Sequence, residues 1–425
     1  MATETDMTQG FNTLCIHGGH RPDGHRAHHT PIYASSTYTF DNAAQAAAVF
    51  SGQEEGYLYS RWGNPTVREA EEKIAALEGF RLTDDSGNPL RPQALLHASG
   101  MAAIQTLFFS TLNSGDAILT QGSLYGGTQE TLEKILPPLG ISFYAADFAN
   151  DAEMEKMIVA HPEIKLVYLE TPDNPTIRLV DLEKLGAFCR KHNLIMAVDN
   201  TFCTPYLQQP FQYGADYIVH STTKFLNGHG TAIGGALVAR TSELMTDRMV
   251  KTFRLMGGNS NPFDAFLLVN GMRTLPLRVD RHCENAQKLA EFLEKQTDVT
   301  EVHFPGLKSH PQHDLAKAQM RKSGSMVAFE LKGGFEAAVD FLNAMKLCKF
   351  AVSLGTVDTL ISHPASSTHK GVAPETRARA GVTDGLIRIS VGTENIEDII
   401  ADVSQSIAAA HRSEADVRKA ETVGA

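Results

Sequence analysis

With 425 residues, 42% of them apolar and 20% charged, the chain is long enough for two or three domains around a large core and is not a disordered tail. A formal net charge of −11 excludes the basic face that a nucleic-acid partner requires, and no run of about 18 apolar residues exists to span a membrane. Five scattered cysteines without a CxxC pair exclude a disulfide framework and a zinc knuckle. Residues 1–10 are polar and acidic, unlike a signal peptide, so a soluble cytoplasmic chain is expected.

In chain order, residues 1–62 read as an arm. Pro, Gly, His and Thr dominate it, and helical spacing begins only at 42–51. His25, His28 and His29 lie in this arm without an acidic or Cys partner nearby, so no metal is expected there. Val67, Ala70, Ile74 and Leu77 then recur at helical spacing, and residues 81–92 form a polar loop. Short apolar runs at 94–97, 117–120, 141–144, 166–169, 194–198, 217–219 and 236–239 read as strands. Helical patterns such as Leu182, Leu185, Phe188 and Cys189 lie between several of them. This alternation predicts an α/β domain over 63–262 with a mostly parallel sheet. From 263 a long helical stretch to 296 leads into strands at 299–304, 326–331 and 387–391, a smaller α+β domain over 263–425. Residues 411–425 are expected to fray.

Parallel sheets bind ligands at the carboxyl ends of their strands. Two chemistry-bearing residues fall there. Asp199 closes the run 194–198, where a carboxylate is costly unless paired, and Lys224 follows the run 217–219. An amine for a Schiff base and an acid for a pyridine nitrogen are what pyridoxal phosphate needs. Ser221 and Thr223, flanking the lysine, can hydrogen-bond a phosphate. Gly100 and Met101 open a helix after the strand at 94–97, where backbone amides also attract phosphate. Tyr125, flanked by Gly126 and Gly127, can stack on a cofactor or protonate a leaving group. Arg388 sits inside a β-type apolar run, and bidentate recognition of an α-carboxylate explains it; a solvated strand edge is the alternative.

These segments, with Pro31-Ile32-Tyr33, Tyr59-Ser60-Arg61-Trp62-Gly63-Asn64-Pro65-Thr66, Glu170-Thr171-Pro172-Asp173-Asn174-Pro175, Ser353-Leu354-Gly355 and His363-Pro364-Ala365-Ser366, closely resemble the Cys/Met-metabolism family of pyridoxal phosphate enzymes, of fold type I. The resemblance runs over residues 12–405. It implies that Lys224 forms the Schiff base and shuttles protons, and that Asp199 pairs with the pyridine nitrogen. Asn174 would lie near the cofactor's phenolic oxygen, and Gly100, Met101, Ser221 and Thr223 would hold its phosphate. Tyr125 would stack on the ring and assist departure of the γ group, while Arg388 with Ser353 would grip the substrate carboxylate. Tyr59 and Arg61 would reach the cofactor phosphate of a neighbouring subunit, in a dimer usually within a homotetramer.

Within that family, methionine γ-lyases generally carry Cys at the position of Gly127, and residues 257–263 look more like a sulfhydrylase. The expected reaction is therefore γ-replacement on O-acetyl- or O-succinylhomoserine, with γ-elimination from methionine or cystathionine as the alternative. Many O-acetylhomoserine sulfhydrylases carry a longer insertion after Gly234-Gly235, absent here. Ser221-x-x-Lys224 also matches the SxxK motif of acyl-serine enzymes, but the required downstream boxes are missing. An aminotransferase of the same fold would use Lys224 yet lack the 59–66 segment.

Overall fold

The computed structural model describes residues 9–21, 23–84, 86–367 and 381–423. The first eight residues, part of the segment read for a signal sequence, lie outside them. Helices α1 (Phe11–His17), α2 (Ala43–Phe50) and α3 (Pro65–Glu78) precede strand β1 (Gln93–His97). Next come α4 (Gly100–Thr111), β2 (Ala117–Thr120), α5 (Gly126–Glu130), β3 (Ser142–Ala145) and α6 (Asp151–Ala160). They are followed by β4 (Ile164–Glu170), α7 (Leu182–His192), β5 (Ile195–Asp199), α8 (Thr204–Leu207), β6 (Tyr217–His220) and β7 (Gly235–Ala239).

All the strands expected before residue 240 form, and they join one sheet in the order β1-β7-β6-β5-β4-β2-β3. Neighbours from β6 to β3 are parallel, and β7 alone runs antiparallel to both β6 and β1. Strands β2, β5 and β6 read as continuous apolar runs because helices cover both faces of the sheet. The arm carries one helix that its composition hides: α1 buries Phe11, Leu14 and Cys15 against α3. Asn64 caps α3 by accepting from the amides of Thr66 and Val67, with Pro65 preset for the first turn.

The C-terminal half contains α9 (Asp247–Met256), α10 (Pro262–Arg273), α11 (Leu275–Leu293), β8 (Val299–His303), α12 (His313–Gln319), β9 (Met326–Leu331) and α13 (Gly334–Ala344). It closes with β10 (Lys349–Phe350), β11 (Leu360–Ser362), β12 (Leu386–Ser390) and α14 (Ile396–Val423). A second sheet has the order β10-β11-β12-β9-β8, antiparallel except between β10 and β11. The architecture is α/β with a mostly parallel large sheet and a smaller C-terminal sheet.

Two expectations need correction. The helical stretch at 263–296 is two helices broken at Thr274, because Pro276 in the first turn of α11 cannot donate to a preceding turn. The tail expected to fray continues as helix to Val423. Ala265 to Cys283 pack into the core of the large sheet, and the second core begins at Ala286 on the same helix.

The phosphate-type turn after β1 is pressed against the start of β7. A Cβ on Gly235 would collide with Ser99 O and lie 2.7 Å from Gly100 Cα. Gly235→Ala should therefore destabilise the protein by about 1–3 kcal/mol, as overpacking typically does. A lowered thermal midpoint of the purified variant checks this, and an unchanged midpoint would contradict the close approach.

Candidate active site

The carboxyl edge of the large sheet opens into a cleft of about 2380 Å³. Ser99, Gly100 and Met101 after β1, Tyr125 before α5, Glu170 ending β4, Asp199 ending β5, and Ser221, Thr223 and Lys224 after β6 line it. Asn174, Ser353 and Arg388 also line it, the last carried in by the second sheet on β12.

Lys224 Nζ donates to Ser353 Oγ at 2.8 Å. Arg388, buried, donates from Nη2 to Ser353 O at 3.0 Å and from Nη1 to Asn174 Oδ1 at 2.7 Å, while its Nε has no partner among the described residues. Ser353 itself holds a backbone φ of 140°, a region L-residues rarely adopt, so the loop carrying it is constrained at the point where the two cations converge. Burial pushes the Lys224 amine down to about 8, with Arg388 adding repulsion, and burial lowers Arg388 to about 10.

Asp199 accepts the Thr201 amide at 3.0 Å and the Tyr168 hydroxyl at 3.4 Å. Burial raises its carboxyl above the ordinary range. It faces the cleft with no ion-pair partner among the described residues. Around the first turn of α4, Ser99 accepts the Ala102 amide at 3.1 Å, which leaves the Gly100 and Met101 amides without an intrahelical acceptor. Gly100 is also where a Cβ would press to 3.0 Å from Ser221 Cβ, so the turn and the segment after β6 form one narrow cradle. The Thr223 hydroxyl is partly committed: it accepts the Gly234 amide at 3.0 Å and donates to Gly234 O at 3.2 Å.

These groups fit pyridoxal phosphate. An unpaired buried acid suits a pyridinium, a neutral-prone amine suits an aldehyde, and a cradle of amides and hydroxyls suits a phosphate. The unsatisfied Arg388 Nε adds a donor for a carboxylate. Two expected residues stand apart. Tyr59 and Arg61 do not line this chain's own cleft; Tyr59 is 45% exposed, and Arg61 stacks near its ring at 5.8 Å and donates to Arg254 O. One residue was missed: Glu170 sits beside Asp199 in strand register. The signal that could have found it is its position, an acid ending an apolar parallel strand as Asp199 does.

The family profile described as "Cys/Met metabolism PLP-dependent enzyme" matches residues 12–408. The chain belongs to this family. It is 44% identical over 408 residues to the L-methionine gamma-lyase of Porphyromonas gingivalis, covering 96% of this chain and 99% of that protein. To the O-succinylhomoserine sulfhydrylase of Pseudomonas aeruginosa it is 39% identical, covering 94% and 95%. Among solved structures, cystathionine gamma synthase from Xanthomonas oryzae pv. oryzae, in complex with aminoacrylate and cysteine, superposes with a TM-score of 0.87 at 36% identity. That match covers 95% of this chain and 99% of that one. The chain is therefore a pyridoxal phosphate enzyme of the trans-sulfuration type, of fold type I.

Only a neutral amine attacks an aldehyde. With Lys224 lowered to about 8, the neutral fraction grows roughly tenfold per pH unit below that value and levels off above it. The rate at which cofactor-free protein takes up pyridoxal phosphate should follow that curve, read as growth of the visible absorption band. A rate still climbing steeply from about pH 9 to 10 would mean an ordinary lysine.

Proposed function

We propose that the protein catalyses γ-elimination from a sulfur-bearing L-amino acid, with L-methionine as the representative substrate. Methionine and water would give methanethiol, 2-oxobutanoate and ammonia. The observation that carries this reading is the apolar part of the cleft. Tyr125, Ile233 and Val352 line it while 51%, 64% and 64% exposed, a surface suited to a thioether. The L-methionine gamma-lyase relatives support the same order, which reverses the preference expected from sequence.

Pyridoxal phosphate, when bound, supplies an aldehyde that condenses with amines and a protonated ring that withdraws electrons from the substrate Cα. Asp199 holds the proton that keeps the ring electron-poor. Arg388 takes the substrate α-carboxylate, orienting Cα toward Lys224, since both cations meet at Ser353. Lys224, with its lowered affinity for protons, removes one from Cα and moves it onward. Tyr125 assists departure of the γ sulfur by giving it a proton.

A second reading, γ-replacement at O-succinyl- or O-acetylhomoserine, draws on Gly127. A Cβ there would lie 2.7 Å from Tyr125 Cε1 and 3.0 Å from Met101 Sδ, so this chain packs the tyrosine ring into space that a cysteine would fill. We also place Tyr59 and Arg61 in the neighbouring subunit's site within a homotetramer. Location in the cytoplasm is supported by five buried, unpaired cysteines.

Incubation with L-methionine alone should release 2-oxobutanoate rapidly. Homocysteine formed from an O-acylhomoserine only with sulfide, and little oxobutanoate from methionine, would favour the second reading instead. Arg388→Lys keeps the charge but loses the fork, so KM for the amino acid should rise about 10- to 100-fold, with kcat less affected. For the shared site, Arg61→Ala and Lys224→Ala subunits, each inactive alone, should regain about a quarter of wild-type activity when unfolded together and reassembled in equal amounts. No regain would place Arg61 in its own subunit's site.

A further inference from the structure

Glu170 ends β4 as Asp199 ends β5, and the two are register partners on adjacent parallel strands. Its buried carboxylate accepts the Tyr125 amide with both oxygens, at 2.9 and 3.0 Å. Its own backbone is clamped: Gln121 Nε2 donates to Glu170 O at 2.8 Å, and Glu170 N donates to Gln121 Oε1 at 3.1 Å. The connection from β2 to α5 is thereby tied at both ends to the last residue of β4.

A neutral acceptor would satisfy one amide with a smaller loss of hydration than a carboxylate incurs. An acid is nonetheless placed here, where burial and Asp199 both push its carboxyl well above the ordinary range. What it holds is the start of α5, and Tyr125 has few other anchors. Its ring is half exposed, and its hydroxyl makes no hydrogen bond among the described residues. The ring's place is set by its backbone and by the gap above Gly127 and Met101.

We propose that Glu170 is a positioning residue, which fixes the Tyr125 main chain and so aims the ring and hydroxyl at the departing γ group. The proposal rests on the role given to Tyr125 above. Acting through Tyr125, Glu170 makes no contact with the reacting atoms.

A double-mutant cycle tests it on the cofactor-loaded enzyme. Glu170→Ala should lower kcat roughly 10- to 100-fold, the scale of a displaced catalytic group. In a Tyr125→Phe background the same change should cost less than about threefold, because the hydroxyl it aims is already gone. Glu170→Gln, which keeps one acceptor oxygen, should restore most of the kcat. Should the alanine variant fail to fold, Glu170→Asp draws the carboxyl back by one methylene and should show the same pattern, a loss of kcat that shrinks in the Tyr125→Phe background. Equal losses with and without the Tyr125 hydroxyl would overturn the proposal, as would a glutamine variant as slow as the alanine one. If the wild type turns over no thioether, the visible circular dichroism of the bound cofactor still reports the ring. A reduced band at full cofactor content in Glu170→Ala supports the positioning role, and an unchanged band overturns it.

Discussion

The site depends on removing charge from water at the edge of an apolar sheet. Asp199, Glu170, Lys224 and Arg388 all face one cleft, and burial opposes the charged form of each. None has an ion-pair partner among the described residues, which is why each is poised for a ligand of opposite charge or for a proton. A pyridinium would meet Asp199 and a carboxylate would meet Arg388. Lys224, repelled by Arg388, would be left as the base. Had Lys224 paired with a carboxylate of its own chain, its proton affinity would have risen instead and far less of the amine would be neutral near pH 8.

Holding these groups unpaired requires a rigid support, and the structure provides one beneath the strand ends. His220, the last residue of β6, donates from Nε2 to Glu78 Oε1 at 2.5 Å, and both side chains are fully buried. Asn200, following β5, donates to the same carboxylate oxygen at 3.1 Å and to Gln208 O at 3.0 Å. The C-terminus of α3 is thus bonded to the two strands that deliver Asp199 and Lys224. Losing either partner would leave a buried polar group without its hydrogen bond, so the pair fixes the arrangement.

Legibility of the site in the sequence followed from how local each signal was. Lys224 and Asp199 could be read because each stands just past an apolar run, and the rule about strand ends supplies the rest. Arg388 could be read because a cation inside a β-type run must face either an acceptor or a solvated edge, and its burial removes the second choice. Glu170 ends an apolar run as Asp199 does, and what the run Leu166 to Leu169 hides is that its neighbour in the sheet is β5. Strand order is a non-local property, and so is the reversal of β7, whose residues look like those of the parallel strands. The break at Thr274 was written in Leu275-Pro276 but was outweighed by the apolar period on either side. The expectation for Tyr59 and Arg61 rests on resemblance alone, because neither lines the cleft of this chain.

Elimination and replacement share every residue of the cleft up to departure of the γ group. They diverge in what next reaches Cγ and in which carbon is reprotonated. Selection between them therefore lies with access rather than with the catalytic set. On the proposed reading, the surface that would control access is the apolar region of Tyr125, Ile233 and Val352. An apolar wall binds a thioether by area alone, whereas a succinyl ester would also present a terminal carboxylate to a cation of the lining. Arg388 and Lys224 are both already engaged at Ser353, at the end where the α-carboxylate would lie. The cleft lining also holds Lys134, Arg178 and Lys184, so the preference proposed for a thioether rests on the apolar surface and not on a want of cations.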